Sequence, residues 1–143
     1  MPYKFFEDIA IADVAFEAKG KNLNELFEST GLAVTNVMVK DLRSVEHKVK
    51  KKIKLEETDL EKLLFNFLQE IIYYKDAERL LLSKFDVDIN EEDGKFKLEI
   101  EAFGEKLDMK KHELIVDVKA VTYHKFAVKK LKSGWSAFVI LDI

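Results

Sequence analysis

The 143-residue chain has no cysteine, one proline, five glycines and one tryptophan. The missing cysteine excludes disulfides, thiol nucleophiles and cysteine-ligated metals. With so little proline and glycine there is scant room for flexible linkers, and the length suits one domain over residues 1–143 with one core. No apolar run reaches the roughly 18 residues of a membrane span, and Met1-Pro2-Tyr3-Lys4 does not open a signal-peptide apolar region. A cytoplasmic protein with no membrane partner is expected. The net charge of -3 gives no general, charge-driven case for nucleic acid. No glycine-rich phosphate loop and no Rossmann or Walker pattern occurs. What is present is 48% hydrophobic and 36% charged residues, the balance of a folded globule.

The periodicities alternate between strand and helix. Residues 9–18 alternate, with Ala12, Val14, Phe16 and Ala18 on one face, until Gly20. Asn22 and Glu25 form a capping-box pattern ahead of Leu26, Phe27, Thr30, Ala33, Val34, Val37 and Met38 at helical spacing. Val45, Val49, Ile53 and Leu55 suggest a second strand among Lys48, Lys50, Lys51, Lys52 and Lys54. That run reads either as an RNA or acidic-partner contact or as an edge strand guarded by charge. Thr58 and Glu61 suggest the cap of a helix carrying Leu60, Leu63, Leu64, Phe67, Leu68, Ile71 and Ile72. Strands follow at 80–90 and 95–103 around Glu92-Asp93-Gly94, a turn in which Asp-Gly suits positive φ. Further strands are expected at 113–121, 126–132 and 135–141, the last two turning at Ser133-Gly134. The expected class is α+β, two main helices packed on a mostly antiparallel sheet.

The candidate chemistry is acidic. Asp13 stands inside a strand, where Asp is depleted. It is either a solvated polar position or a ligand. The sequence closes on Asp142 and Ile143 directly after an apolar run, which sets a side-chain carboxylate beside a terminal one. If the first and last strands are neighbours, these acids meet, and a divalent cation relieves their repulsion. His47, His112 and His124 are the only histidines and show no zinc-ligand spacing. His124 reads as a hydrogen-bonded residue in a polar turn that ends a strand. No serine or threonine sits in a nucleophile motif. A metal-dependent phosphoesterase using Asp13 and Asp142 stays open, as does a chaperone-like or adaptor module that uses the apolar face of the second helix.

Several strings together carry a family resemblance. Ile9-Ala10-Ile11-Ala12-Asp13-Val14 lies where the archease family has a His-Thr-Ala-Asp stretch; Ala12 and Asp13 match, while Ala10 and Ile11 replace the histidine and threonine. Leu63 to Tyr73 resembles that family's second helix. Val118-Lys119-Ala120-Val121-Thr122-Tyr123-His124, preceded by His112, and the ending Val139-Ile140-Leu141-Asp142-Ile143 also match in order and spacing. The chain is therefore similar to archease along nearly its whole length. The resemblance implies an archease-like domain that is not itself an enzyme. It would be a monomer, and would activate the RtcB-type RNA ligase of tRNA splicing by promoting its guanylylation and multiple turnover, with broadened nucleotide use. RNA would be met only through the ligase. The resemblance also implies metal binding at Asp13, Asp142 and Ile143, with calcium as the cation and Mg²⁺ or Mn²⁺ as alternatives. Lys119 and His124 become candidates for a functional surface, and Ala10 puts in doubt any role of the family histidine.

Overall fold

In the computed structural model, which describes residues 2–6 and 13–143, the chain forms seven strands and two helices. The strands are β1 (Tyr3–Phe6), β2 (Asp13–Gly20), β3 (Val49–Glu57), β4 (Leu80–Glu92), β5 (Lys95–Lys106), β6 (Ala120–Leu131) and β7 (Gly134–Asp142). The helices are α1 (Leu23–Met38) and α2 (Leu60–Glu78). All pairings are antiparallel and fall into two sheets, ordered β1-β2-β7-β6 and β3-β5-β4. Ala10 and Ile11 lie outside the described residues, as does the first half of the alternation expected at 9–18.

Local chemistry explains most element ends. Asn22 caps α1 by accepting from the Glu25 N–H, and its side-chain amide donates back to the Glu25 carboxylate at 3.4 Å. The cap of α2 is Asp59, which accepts from the Glu61 N–H, and not Thr58. Glu61 is free of a capping box because its carboxylate accepts from the Val128 N–H of β6 at 2.9 Å. β3 begins at Val49 and not at Val45, because Val45 closes a 3₁₀ turn at Leu42–Ser44 and is buried there. Asp93 and Gly94 both take positive φ, 53° and 74°, in the β4-β5 hairpin, as a two-residue turn of this twist requires. Gly104 is needed for a different reason. Opposite it β4 has a bulge at Ser83, and a Cβ on Gly104 would sit 1.7 Å from the Leu81 carbonyl oxygen.

Each helix shields a sheet edge as well as the core. α1 lies along β4, where Asn24 accepts from the Ile89 N–H and Thr35 donates to the Leu82 carbonyl. α2 lies along β6, with Glu61 on Val128 and Gln69 on Val121. On the outer strands β4 and β6 these side chains satisfy backbone groups that a neighbouring strand would otherwise pair. Between helices and sheets lie the rings of Phe27, Phe67 and Phe85 with Leu26, Leu63, Leu64 and Leu68, all fully buried. The apolar stripe of α2 is spent inside its own core, with Leu63, Leu64, Phe67, Leu68, Ile71 and Ile72 all buried, so the adaptor reading based on that face does not hold.

The segment 113–119 is not a strand, contrary to the alternation there. Leu114 makes a single bridge with Val39, Lys40 donates to the Glu113 carbonyl, and Ile115 donates to that of Met38. Its alternation still reports burial: Leu114, Val116 and Val118 turn toward the core, but no strand lies alongside to complete a ladder. The segment instead links the two sheets.

Candidate functional site

β2 and β7 are neighbours, and their register sets Asp13 directly opposite Asp142. Asp142 is in turn opposite Ala120 of β6. Cross-strand partners project to one face, so the two carboxylates stand side by side, with Cβ atoms about 4.5–5.5 Å apart. Both residues are half-buried. The face is the one turned away from the helices, because Val14 and Phe16, with Leu141 and Val139 opposite them, fill the core side. Ile143, one residue on, packs its side chain against the core. Only its main-chain oxygens are then left for a ligand role. The main-chain N–H of Lys119 donates to the Asp142 carbonyl at 2.8 Å, and the Lys119 side chain is exposed. The structure thus brings Asp13, Asp142, Ile143 and Lys119 to one end of the sheet.

His124 is not at that end. It lies further along β6 in a bulge, where the four residues 123–126 face the single Val139 of β7. β6 therefore runs through His124 and does not stop at a turn there. Lys125 takes φ 55° in the same bulge.

The donor set at the tip is carboxylate and main-chain oxygen, which suits a hard divalent cation. Two like charges directly opposed across a ladder are destabilising without one. Among the described residues no three His, Asp or Glu side chains converge as a metal cluster, so a cation here would draw main-chain oxygen as well. Beside this pair Thr122 holds its hydroxyl buried with no hydrogen-bond partner among the described residues.

His112 is excluded from ligation by its bonds. Its Nδ1 accepts from the Asp108 N–H, which leaves Nε2–H to donate to Glu105 at 2.9 Å. Glu105 is buried, and burial alone would raise its pKa. The hydrogen bonds from Lys111, the Glu46 N–H and His112 outweigh that and hold it down at about 2.

A residue that sequence reasoning missed supports the tip. Lys75 of α2 is only 8% exposed, and its ammonium is held by Asp117 at 2.5 Å, Asp76 at 2.6 Å and the Val118 carbonyl at 2.7 Å. Burial works against the charge, but the two carboxylates keep its pKa above the ordinary lysine value. Lys75 so pins the two residues before Lys119, and through the Lys119 N–H the end of β7. The sequence did carry a signal: Leu64, Leu68, Ile71 and Lys75 follow one helical stripe, and a cation at its end implies a buried partner.

Known proteins share both the sequence pattern and the architecture. The model of the archease protein family matches residues 3–143. Archease of Pyrococcus furiosus is 42% identical over 92% of this chain and 93% of its own length. That of Sulfurisphaera tokodaii is 39% identical over 99% of this chain and 98% of its own length. A Methanobacterium thermoautotrophicum protein solved in solution superposes with a TM-score of 0.86 at 35% identity, over 99% of both chains. The crystal structure of an archease, possible chaperone, from Thermotoga maritima shares the fold at 17% identity, with a TM-score of 0.60 over 96% of this chain and 97% of that one. With a family match along nearly its full length, and relatives this similar over most of theirs, the chain belongs to the archease family.

Proposed function

We propose that this protein activates an RtcB-type RNA ligase, the enzyme that joins a 3'-phosphate or 2',3'-cyclic phosphate RNA end to a 5'-hydroxyl end. It would promote transfer of GMP from GTP to the ligase and permit many turnovers, with broadened nucleotide use. The observation that carries this reading is the Asp13–Asp142 register with the Lys119 main chain bonded beside it. It sets at one end of the sheet Asp13 and Asp142, two of the positions that the family resemblance assigns to metal binding, with Ile143 next in sequence and Lys119 beside them.

Asp13 and Asp142, with main-chain oxygen of Ile143, would hold a divalent cation, calcium first among the candidates. A cation held there would supply fixed positive charge close to phosphate oxygens. The protein's own part is placement. Two carboxylates on paired neighbouring strands would be held side by side as the tip enters a partner's active site, and Lys119 would add an exposed ammonium for orientation. No covalent intermediate forms on this chain in that scheme, and the protein is not itself the ligase. It would work where the ligase works, in the cytoplasm. Among the described residues no helix is long and apolar enough to cross a membrane.

The test is a guanylylation and ligation assay with the ligase of the same source, GTP, Mn²⁺ and RNA ends of the stated chemistry. Substoichiometric protein should turn single-turnover ligation into many turnovers. Asp13→Ala and Asp142→Ala should lose this effect while keeping the wild-type circular dichroism. Unchanged ligation by a well-folded wild-type protein, or full activation by both variants, overturns the reading.

A further inference from the structure

Positive charge on this molecule is unevenly neutralised. The lysines of the 48–54 run are largely paired: Lys48 with Glu46 and Glu105, Lys50 with Glu101, Lys51 with Glu78, and Lys54 with Glu99. β6 and its flanks differ. From Val118 to Leu141 the sequence contains no Asp or Glu, yet it carries Lys119, His124, Lys125, Lys129, Lys130 and Lys132. Among the described residues none of these five lysines joins an ion pair. A protein of net charge -3 thus keeps one strand that is locally basic.

The bulge adds an aromatic group to that charge. Tyr123 is 63% exposed, although its ring lies flat on Phe65 at 3.8 Å and 8°. Phe126 meets Phe65 edge-on at 5.6 Å and 78°. The covered face fixes the ring, so its exposure lies on the opposite face and the edges. On the other side of the bulge a hollow of about 290 Å³ is framed by Lys125, Lys129, Ser136 and Phe138, with Glu17 as its carboxylate.

An acidic peptide would be satisfied by the lysines alone and would have no use for an exposed, prestacked ring. A single-stranded polynucleotide uses both, with bases on aromatic faces and phosphates on ammonium groups. We propose that the β6 bulge is a binding surface for single-stranded RNA, with a base stacked on Tyr123 and phosphates at Lys125 and Lys129. The choice of RNA among polynucleotides rests on the ligase-activator reading. β6 begins at Ala120, opposite Asp142, so the bulge and the acidic pair lie on neighbouring stretches of one sheet.

The experiment is an anisotropy titration of a fluorescent single-stranded RNA of about ten nucleotides with the full chain and no ligase. Saturable binding is expected, with a log–log salt slope near -1.4 for two phosphate contacts. Tyr123→Ala should weaken binding about tenfold or more, and Tyr123→Phe should leave it unchanged. Lys125→Glu combined with Lys129→Glu should abolish binding. Tyr123, Lys125 and Lys129 are exposed residues, and the circular dichroism of each variant should match that of the wild type. Absence of binding by the wild type overturns the inference. So does equal binding by wild type and Tyr123→Ala with polyglutamate competing as well as RNA, which would mark an acidic protein as the occupant. The ligase is absent from the titration. Lost RNA binding with activation intact therefore sinks this inference alone, and RNA binding without activation sinks only the activator reading.

Discussion

The Asp13–Asp142 pair makes a prediction whose sign depends on the solution. The two carboxylates are cross-strand partners on one half-buried face. At about 5 Å their repulsion is about 1 kcal/mol in a water-like dielectric and more where solvent is partly excluded. Asp142→Asn keeps the size and removes the repulsion. In a chelator the variant should therefore be the more stable protein, by about 1 kcal/mol or about 3 °C in Tm for a chain of this length. With Ca²⁺ at a hundred times its Kd, the wild type should gain about 2.7 kcal/mol by mass action, or about 8 °C, and the variant little. The order of the two proteins thus crosses between EDTA and Ca²⁺. Differential scanning calorimetry in EDTA, Ca²⁺, Mg²⁺ and Mn²⁺ reads this directly. Parallel shifts of both proteins with cation, or an Asn variant less stable than wild type in EDTA, would refute the reasoning that these acids repel and share a cation.

Single residues give three further expected outcomes. Lys75→Met leaves the Val118 carbonyl without its ammonium donor and should cost about 2 kcal/mol, with faster amide exchange at Lys119; an unmoved Tm and unchanged exchange would show the tether to be idle. Glu105 has a folded pKa of about 2, below its ordinary 4.5, so its contribution is complete above pH 4.5 and is lost as pH falls from there toward 2. Glu105→Gln should lower stability near pH 7 by about 2 kcal/mol and flatten this acid limb, and identical limbs in urea unfolding at stepped pH would contradict the assignment. Gly104→Ala should destabilise by about 3 kcal/mol or more in urea, because the added Cβ meets the Leu81 carbonyl and only backbone movement can make room; a near-neutral effect would mean that the bulge at Ser83 yields.

The elements that local chemistry specifies were legible. Asp93-Gly94 announces its hairpin, Asn22 its cap, and the Leu63 to Ile72 stripe its buried helix. The misread places share a cause: a pattern records what a residue faces, not which backbone lies beside it. Leu114, Val116 and Val118 alternate because they face the core, yet residues 113–119 have no strand to pair with. Thr58 and Asp59 are both competent caps, and what excludes Thr58 from the capping box is Glu61 reaching β6, a contact 67 residues away in sequence. The division into two sheets is of the same kind. It depends on the β3-β5-β4 order, which no window of sequence contains.

The candidate site shows both limits at once. Asp13 and Asp142 were visible as acids out of place, but their meeting needs the second strand to pair with the last across 129 residues. Only the family resemblance could join them in advance. The β6 bulge had the opposite fate. At Tyr123-His124-Lys125 the alternation breaks, and a broken period reads as the end of a strand. In the structure the strand resumes at Ala127 in register with Phe138; of the excess residues, Phe126 packs against the core while His124 and Lys125 are exposed. A break in period therefore marks either an end or a bulge, and the residues just beyond it tell the two apart. After an end the chain turns; after a bulge the alternation returns with its phase shifted. Val128 and Lys129 return in that way, Val128 packed against the core and Lys129 at the hollow. Bulges re-aim side chains, and this one leaves a tyrosine and a lysine exposed on the strand whose first residue, Ala120, lies opposite Asp142. The place where periodicity failed is thus where the surface chemistry of this strand is concentrated.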